Sequence, residues 1–247
     1  MQLNDFDIQR VITMLPRDVR KLLKKSNGSV FLAGGFIRAV LSGETPSDID
    51  LWGNSKGNLD NLAELFAAQR GVRCMSTANA HTILDLGRTP VQFITRWTFG
   101  HPEACTESFD FTIAAACIWY EHDETTGQWK SYCHDTYYRD LATKSLVYTS
   151  PTRNEDAGGS LLRVQKFLRK GYSISPGNLA AVVSRLLCGV RFSNSFCSDE
   201  KFRTRILLGL LREVDPLVVV DGIELPDEVV AGDQQVDDSE PWEAPAD

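Results

Sequence analysis

Two stretches decide the fold of this chain: Ala33-Gly34-Gly35-Phe36-Ile37-Arg38 and, one short loop later, Pro46-Ser47-Asp48-Ile49-Asp50-Leu51-Trp52. The first follows a short apolar run and continues with helical spacing of its apolar residues up to Leu41. It therefore predicts a strand, a glycine turn and a helix. In the second stretch polar and apolar residues alternate, which is typical of a half-buried strand.

Gly34 and Gly35 are the predicted phosphate-binding turn. Without Cβ atoms their backbone can approach phosphate oxygens closely, and the N-terminus of the following helix offers free N–H groups to an anion. Arg38, one turn into that helix, can add a charged fork to a triphosphate. An ordinary tight turn is the alternative interpretation of the two glycines.

Asp48 and Asp50 are the candidate metal ligands. Successive side chains of a strand alternate between faces, so both carboxylates should project to one side while Ile49 points to the core. Carboxylates on a rigid strand can bridge two divalent ions, which neutralise phosphates and activate an attacking hydroxyl. The same spacing occurs in Asp5-Phe6-Asp7, but there it lies at a predicted helix start, where aspartate is a natural cap.

The remaining pattern predicts an α/β head followed by helices. The predicted helices are Asp7 to Lys25, broken at Pro16, then Phe36 to Leu41, Asn58 to Gln69, Glu155 to Lys170, Asn178 to Leu187 and Asp199 to Glu213. The predicted strands are Ser29 to Ala33, Asp48 to Trp52, Val72 to Met75, His81 to Leu86, Val91 to Thr95, Phe109 to Tyr120 and Gln128 to Cys133. We expect a small mixed sheet flanked by helices in a catalytic head at 1–150. An all-helical region should follow at 151–225, and an acidic disordered tail at 226–247.

Charge is unevenly distributed along the 247 residues, although the net value is −7. Residues 226–247 contain eight acidic residues and no basic one, and without them 26 basic residues stand against 25 acidic ones. Residues 153–212 contain eleven Lys or Arg and four acidic residues. This balance suits binding to a phosphate backbone, although a solvated helical surface has the same composition.

Composition also bounds the cellular setting. The six cysteines are scattered without a Cys-x-x-Cys pair, so reduced thiols are expected rather than disulfides or structural zinc. The sequence shows neither a basic-apolar leader nor an apolar run of membrane-spanning length. We therefore expect a soluble cytoplasmic protein with no membrane partner.

The two deciding stretches resemble the head motif of CCA-adding enzymes and bacterial poly(A) polymerases, a branch of the polymerase-beta-like nucleotidyltransferase superfamily. Weaker agreement follows in the same order, in Phe109-Asp110-Phe111-Thr112-Ile113-Ala114-Ala115, in Tyr138-Arg139-Asp140-Leu141, and in Glu155-Asp156 with Leu162-Arg163 and Phe167. The resemblance covers roughly residues 30 to 172. It implies a nucleotidyltransferase fold with a site for NTP and divalent metal.

The resemblance also implies roles for individual residues. Asp48 and Asp50 would bind Mg²⁺ or Mn²⁺, and Asp110 would complete the metal site or contact the ribose. The implied nucleotide-binding residues are Gly34, Gly35, Arg38, Asp156 and Arg163. Three positions depart from the family pattern: Ala39 replaces an aspartate, Gln92 a frequent carboxylate and Gly159 the neck arginine. Specific addition of C and then A to tRNA is therefore not expected.

The expected function is metal-dependent transfer of a nucleoside monophosphate from an NTP to an acceptor hydroxyl, with release of pyrophosphate. The 3′ end of an RNA, such as a tRNA-like molecule, is the first candidate acceptor. One alternative is the same chemistry on a protein or a small molecule. Another is a non-catalytic module that binds nucleotide or RNA with an inherited fold.

Overall fold

A seven-stranded mixed sheet is the centre of the fold, seen in a computed structural model that describes residues 1–122, 126–151, 157–188 and 198–211. Its strands are β1 (Val30–Ala33), β2 (Ile49–Gly53), β3 (Cys74–Ser76), β4 (Ala80–Ile83), β5 (Val91–Ile94), β6 (Ala116–His122) and β7 (Gly127–Cys133). They lie in the order β3-β4-β5-β2-β1-β6-β7. β2 and β5 run parallel, and the other neighbours run antiparallel. The small mixed sheet predicted from the sequence is confirmed.

Helices lie before, between and after the strands. They are α1 (Asp5–Met14), α2 (Arg17–Ser26), α3 (Gly35–Ser42), α4 (Lys56–Arg70), α5 (Pro102–Thr106), α6 (Tyr137–Ala142), α7 (Ala157–Arg169), α8 (Pro176–Leu187) and α9 (Glu200–Leu210), with a 3₁₀ turn at Thr112–Ala114. The predicted break at Pro16 is confirmed. Pro16 is the N-cap of α2, and it has no N–H with which to continue α1.

The two faces of the sheet carry different side chains, because successive residues of a strand point in opposite directions. One face lies under α1 to α4 and contributes fully buried residues such as Ile49, Leu51 and Phe93 to the main core. The opposite face contributes Phe31 and Trp52 to a separate aromatic cluster. We call the first the helical face. The second is the aspartate face, because Asp50 lies between Ile49 and Leu51 and so points to that side.

The apolar run from Phe109 to Tyr120 is a strand only from Ala116 onward. Its first half contains the 3₁₀ turn, and Phe111 makes a single bridge to Tyr148. The prediction of one continuous strand is therefore wrong for residues 109–115. The reason lies in where the side chains are buried, since Phe111 fills a cluster with residues of α7 instead of the sheet core.

After residue 150, the described residues form the helices α7, α8 and α9 and one short strand. This strand, β9 (Ser173–Ile174), pairs in parallel with β8 (Ser145–Leu146). Phe167 and Tyr172 pack beside it in a common cluster with Phe111. A strand of two residues carries no periodicity, so the sequence pattern could not reveal it.

Three further predictions concern membrane spans, the C-terminal tail and the domain boundary. None of the helices within the described ranges is long and apolar enough to cross a membrane. The tail at 226–247 lies outside the described residues. The boundary near residue 150 stays a prediction.

Asp140 is buried and joins the 3₁₀ turn to α6. Its Oδ2 accepts hydrogen bonds from Thr112 Oγ1 at 2.7 Å and from Thr136 Oγ1 at 2.5 Å, and its Oδ1 accepts one from Arg139 Nε at 2.9 Å. Burial by itself raises the pKa of this carboxyl, but the hydrogen bonds favour the charged form and leave the pKa lowered. The carboxylate therefore fixes the segment that leads into β6.

Replacing Asp140 with Ala should lower the free energy of unfolding by about 3 kcal/mol, because the buried hydroxyl of Thr112 and the half-buried hydroxyl of Thr136 lose a charged acceptor. In the wild type this contribution is present above the pKa of an unfolded aspartate, and it is lost as the pH falls through the lowered folded pKa. Urea unfolding at neutral and at acidic pH measures both effects. The control is the exposed Asp135, whose replacement by Ala should leave the urea midpoint nearly unchanged. Equal shifts in the two variants would contradict the role given to Asp140.

Candidate active site

Gly34 forms a turn that requires glycine. It lies between β1 and α3 with φ of 88° and ψ of −132°, a conformation that strains any side chain. Its N–H donates to the carbonyl of Ala116 at 3.0 Å, which ties the turn to β6. A Cβ at this position would lie 3.0 Å from Cε1 of Phe109. Backbone conformation, a cross-strand bond and an aromatic ring thus hold the turn in place.

Gly35 keeps the start of α3 accessible. A Cβ built on it meets no atom within 4 Å, and its φ lies outside the left-handed region. The backbone therefore does not require glycine here, but a side chain would fill space in front of the helix. The N–H groups of Gly35, Phe36 and Ile37 belong to the first helical turn and have no partner within the helix. This end of α3 can donate them to an anion.

Asp48 and Asp50 flank Ile49 at the start of β2. Asp48 directly precedes the strand and Asp50 is its second residue. Both aspartates are half-buried, whereas Ile49 is fully buried on the helical face. Since β1 is antiparallel to β2, the end of β1 that leads into Gly34 lies beside the start of β2. The topology brings the glycine turn and the aspartate pair to the same end of the sheet.

The oxygen donors at this end fit an ion of the Mg²⁺ type that also binds phosphates. Gln92 lies beside Asp50 in the parallel register and is buried, so an amide stands where a third carboxylate could be. Among the residues that the structure describes, no three His, Cys, Asp or Glu side chains form a group able to hold a metal ion. Mg²⁺ is often bound by one or two carboxylates together with substrate phosphates and water. Asp48 and Asp50 supply that number of carboxylates.

Aromatic rings line the aspartate face next to Asp50. The ring centre of Trp52 lies 5.8 Å from that of Phe109 and 5.9 Å from that of Phe99. Phe109 is the same ring that lies against Gly34. This apolar wall lowers the local dielectric constant beside the carboxylate, which strengthens the attraction of the carboxylate for a cation.

Asp110 pairs with Arg163 of α7. Its Oδ2 lies 3.3 Å from Arg163 Nε, although the geometry is not that of a hydrogen bond. A Cβ at Gly159 would lie 3.2 Å from Nη2 of Arg163, so the glycine leaves room for the guanidinium. The predicted roles of Asp110 and Arg163 toward metal and nucleotide stay predictions, and Asp156 lies outside the described residues.

Arg38 is turned toward the protein interior. Its side chain is 6% exposed, and Nη1 donates to Oε2 of Glu44 at 2.7 Å. The guanidinium carbon lies 5.1 Å from the ring centre of Phe167, and Nη1 lies 3.5 Å from the hydroxyl of Tyr172. Burial works to lower the pKa of Arg38, but the hydrogen bonds and charge interactions with Glu44 and Tyr172 together outweigh it, and the pKa is raised. These contacts are with protein groups, so the contact of Arg38 with a triphosphate stays a prediction.

Four residues around Arg38 were not predicted to contact it, and with it they form what we call the Arg38 cluster: Glu44, Phe167, Lys170 and Tyr172. Lys170 Nζ lies 3.5 Å from Glu44 Oε2. Burial raises the pKa of Glu44, but its cationic neighbours, Arg38 foremost, leave that pKa lowered. The Arg38 cluster connects α3 to α7 and the residues just after it. These segments are too far apart in the sequence for residue spacing to predict their contact.

A protein-family model matches more than half of the chain. The model is described as Gabija anti-defense 2 family protein, and it matches residues 2–144. That segment includes the glycine turn, Asp48, Asp50 and Asp110, and it ends before α7. No curated protein sequence matches the chain.

Solved structures of nucleotidyltransferases share the fold. A CCA-adding enzyme of Thermotoga maritima complexed with tRNA is 18% identical, with 85% of this chain and 51% of that chain covered and a TM-score of 0.53. A tRNA-processing enzyme with CTP is 20% identical, with coverage of 77% and 50% and a TM-score of 0.52. A tRNA nucleotidyltransferase with a primer tRNA and an ATP analog is 22% identical, with coverage of 68% and 50% and a TM-score of 0.50. This chain spans about half the length of these proteins, and at such identities the likeness shows the fold alone.

The two glycines should respond differently to alanine. Gly34→Ala should lower the free energy of unfolding by about 1–3 kcal/mol, since it forces a strained φ and crowds Phe109. Gly35→Ala should leave stability nearly unchanged but should weaken NTP binding, because its methyl group fills the space before α3. Urea unfolding and calorimetric titration with NTP separate the two effects. Unchanged NTP affinity in a folded Gly35→Ala variant would remove the phosphate role of this turn.

Proposed function

Because this chain belongs to the Gabija anti-defense 2 family and has the fold of a nucleotidyltransferase head, we propose that it transfers a nucleoside monophosphate from an NTP to an acceptor hydroxyl. The observation that supports this most is the position of the Gly34-Gly35 turn beside Asp48 and Asp50, at one end of the sheet. The family description refers to anti-defense. We propose that the transfer reaction serves that role.

Each part of the site has one task in the proposed reaction. Asp48 and Asp50 would hold Mg²⁺ or Mn²⁺, which neutralises phosphate charge and lowers the pKa of the attacking hydroxyl. The N–H groups at the start of α3 would bind triphosphate oxygens. The acceptor oxygen attacks the α-phosphorus, the bond to pyrophosphate breaks, and no covalent enzyme intermediate forms. The aromatic wall of Trp52 and Phe109 excludes water from one side of the site.

The nucleoside is proposed to bind where the head meets α7. Asp110 and Arg163 face each other there, and Asp156 precedes the helix in sequence. A carboxylate already beside a guanidinium suits a ribose hydroxyl or a base edge better than a third metal ligand, because the cation competes with a metal ion. Arg38, held by the other residues of the Arg38 cluster, would keep α3 in position.

RNA is the acceptor that we place first. Arg169, Lys201 and Arg205 are exposed on α7 and α9, and exposed cations suit a phosphate backbone. Two of the structural neighbours are complexes with tRNA. This chain spans about half the length of those proteins, so a protein or small-molecule hydroxyl is the alternative acceptor for the same chemistry.

A non-catalytic binding module is the second candidate function. It is favoured by Gln92, which stands beside Asp50 without adding a carboxylate. In that case the chain would act against a defence system by binding nucleotide or RNA, without transferring anything. An assay with labelled NTP distinguishes the two functions.

The purified chain, incubated with Mg²⁺ and α-labelled NTPs, should transfer label to either total RNA or lysate protein. Asp48→Asn combined with Asp50→Asn should reduce transfer by at least about a hundredfold, because the divalent cation that would neutralise the phosphates loses its carboxylate ligands. The fraction that gains label, RNA or protein, identifies the acceptor class. Label is measured after separate nuclease and protease digestion.

The matched control uses the other aspartate pair with the same spacing. Asp5→Asn with Asp7→Asn should keep full transfer, since these residues lie at the start of α1. Equal loss in both double variants would point to general destabilisation. NTP binding that is unaffected by chelator, without any transfer, would support the non-catalytic module.

Gln92→Glu tests the metal site without measuring activity. The new carboxylate would be buried next to Asp50, so the melting temperature without metal should fall by about 5 °C, equivalent to roughly 2 kcal/mol. Millimolar Mg²⁺ should restore it if both carboxylates face one ion. Gln92→Leu is the control, and Mg²⁺ should give it no such recovery. Melting of Gln92→Glu that is insensitive to Mg²⁺ and Mn²⁺ would exclude an ion at this position.

A further inference from the structure

Ser76, His81 and Asp60 form a hydrogen-bonded chain at the edge of the sheet. The hydroxyl of Ser76 lies 2.7 Å from Nδ1 of His81, and Nε2 of His81 lies 2.7 Å from Oδ1 of Asp60. Ser76 is exposed on β3, while the side chain of His81 is 12% exposed. A serine, an imidazole and a carboxylate in this order are the components of an activated nucleophile.

The contacts fix both the ring orientation and the tautomer of His81. Rotating the ring by half a turn would place carbon atoms against Ser76 and Asp60, so the observed orientation is the one that satisfies both neighbours. An ionised carboxylate only accepts hydrogen bonds, so Nε2 of His81 carries a proton toward Asp60. In the neutral ring Nδ1 is then free of a proton. It can accept the hydroxyl proton of Ser76.

Strand pairing holds the serine against its base. Ser76 and His81 are direct partners in the β3–β4 register. The N–H of Thr77 donates to the carbonyl of Ala80 at 2.9 Å in the adjacent pair. Because hydrogen-bonded and non-hydrogen-bonded pairs alternate, Ser76 and His81 form a non-hydrogen-bonded pair, in which side chains are closest. The same alternation turns the N–H of Ser76 away from β4, toward the edge of the sheet.

This group is separate from the proposed nucleotidyl-transfer site. His81 is the register partner of Phe93, and Phe93 points to the helical face. Asp60 belongs to α4, which covers that face. Asp50 lies on the aspartate face, so the sheet itself stands between the two sites. Neither the fold nor the proposed transfer reaction requires a serine that is bonded to a histidine at this edge.

We propose that Ser76 is a nucleophile toward activated acyl and phosphonyl esters, with His81 as its general base and Asp60 as a positioning residue. In the first step, Ser76 Oγ forms a bond to the carbonyl carbon or phosphorus and gives its proton to His81 Nδ1. The bond to the leaving group then breaks, and the leaving group departs with the bonding electron pair. Asp60 stabilises the imidazolium that forms, and the outward N–H of Ser76 is available to the developing oxyanion.

Lys56 competes with His81 for the carboxylate of Asp60. Its Nζ lies 3.0 and 2.9 Å from the two oxygens of Asp60, so Lys56 and His81 share one carboxylate. Lys56 therefore weakens the support that Asp60 gives to a charged imidazole. Removing Lys56 should make the nucleophile faster, whereas removing Asp60 should make it slower. A network that only stabilised the surface would not give effects of opposite sign on reactivity.

A fluorophosphonate probe tests the proposal on the full chain. The Ser76 oxygen forms a bond to phosphorus, the bond to fluorine breaks, and fluoride leaves. Intact mass gives the rate of labelling, and peptide mapping gives its position. We expect labelling at Ser76 that is absent in Ser76→Ala and reduced about a hundredfold in His81→Gln, the lower end of what a general base contributes. Ser55, an exposed serine at the N-cap of α4, is the control, and Ser55→Ala should label like the wild type.

Two more measurements keep the outcome decisive if His81→Gln unfolds. Asp60→Asn should slow labelling about tenfold, and Lys56→Gln should accelerate it severalfold, with little change in melting temperature for either. Labelling no faster at Ser76 than at Ser55, or a rate that is unchanged in both the Asp60 and the Lys56 variants, would overturn the proposal.

Discussion

Burial of Ile49 and Leu51 is the constraint on which the candidate site depends. Both side chains are fully buried on the helical face, and the period of two along a strand then turns Asp50 to the opposite side. A slip of one residue would drive the carboxylate into the main core and expose both apolar side chains. Strands on either side of β2 fix this register, with Leu51 opposite Leu32 on β1 and beside Phe93 on β5. The core thus sets the position of the proposed site, because the same alternation that buries Ile49 and Leu51 presents Asp50, the proposed metal ligand, on the other face.

Sequence patterns sufficed where the deciding interactions are local. The alternation around Ile49, the break at Pro16 and the glycine turn each depend on a few neighbouring residues, and the structure has them where the patterns predicted. The strand prediction for the apolar run after Phe109 is wrong in its first half, because periodicity cannot distinguish a buried strand from a buried irregular segment. Its side chains are buried against α7, which lies about fifty residues further on in the sequence.

Patterns could not show where residues distant in sequence meet. The spacing around Arg38 fits a phosphate-binding motif, which stays a prediction, but it gave no sign of the contacts of Arg38 with Phe167 and Tyr172. Tyr172 lies 134 residues away from it. The sequence also gave no sign of the hydrogen-bonded chain from Ser76 to Asp60. The spacing of these three residues matches no motif, and only the pairing of β3 with β4 and the packing of α4 bring their side chains together.

The order of strands has a consequence for how this protein is made. β1 lies near the middle of the sheet, and its outer neighbour is β6, with Leu32 paired to Ile118. During synthesis, β1 therefore has an unpaired edge until residue 118 has left the ribosome, and the Gly34 turn lacks the Ala116 carbonyl that fixes it. A nascent chain with an exposed strand edge is prone to pair with other chains. Translation that pauses before this point should favour aggregation, whereas a pause after β7 should be harmless to the sheet.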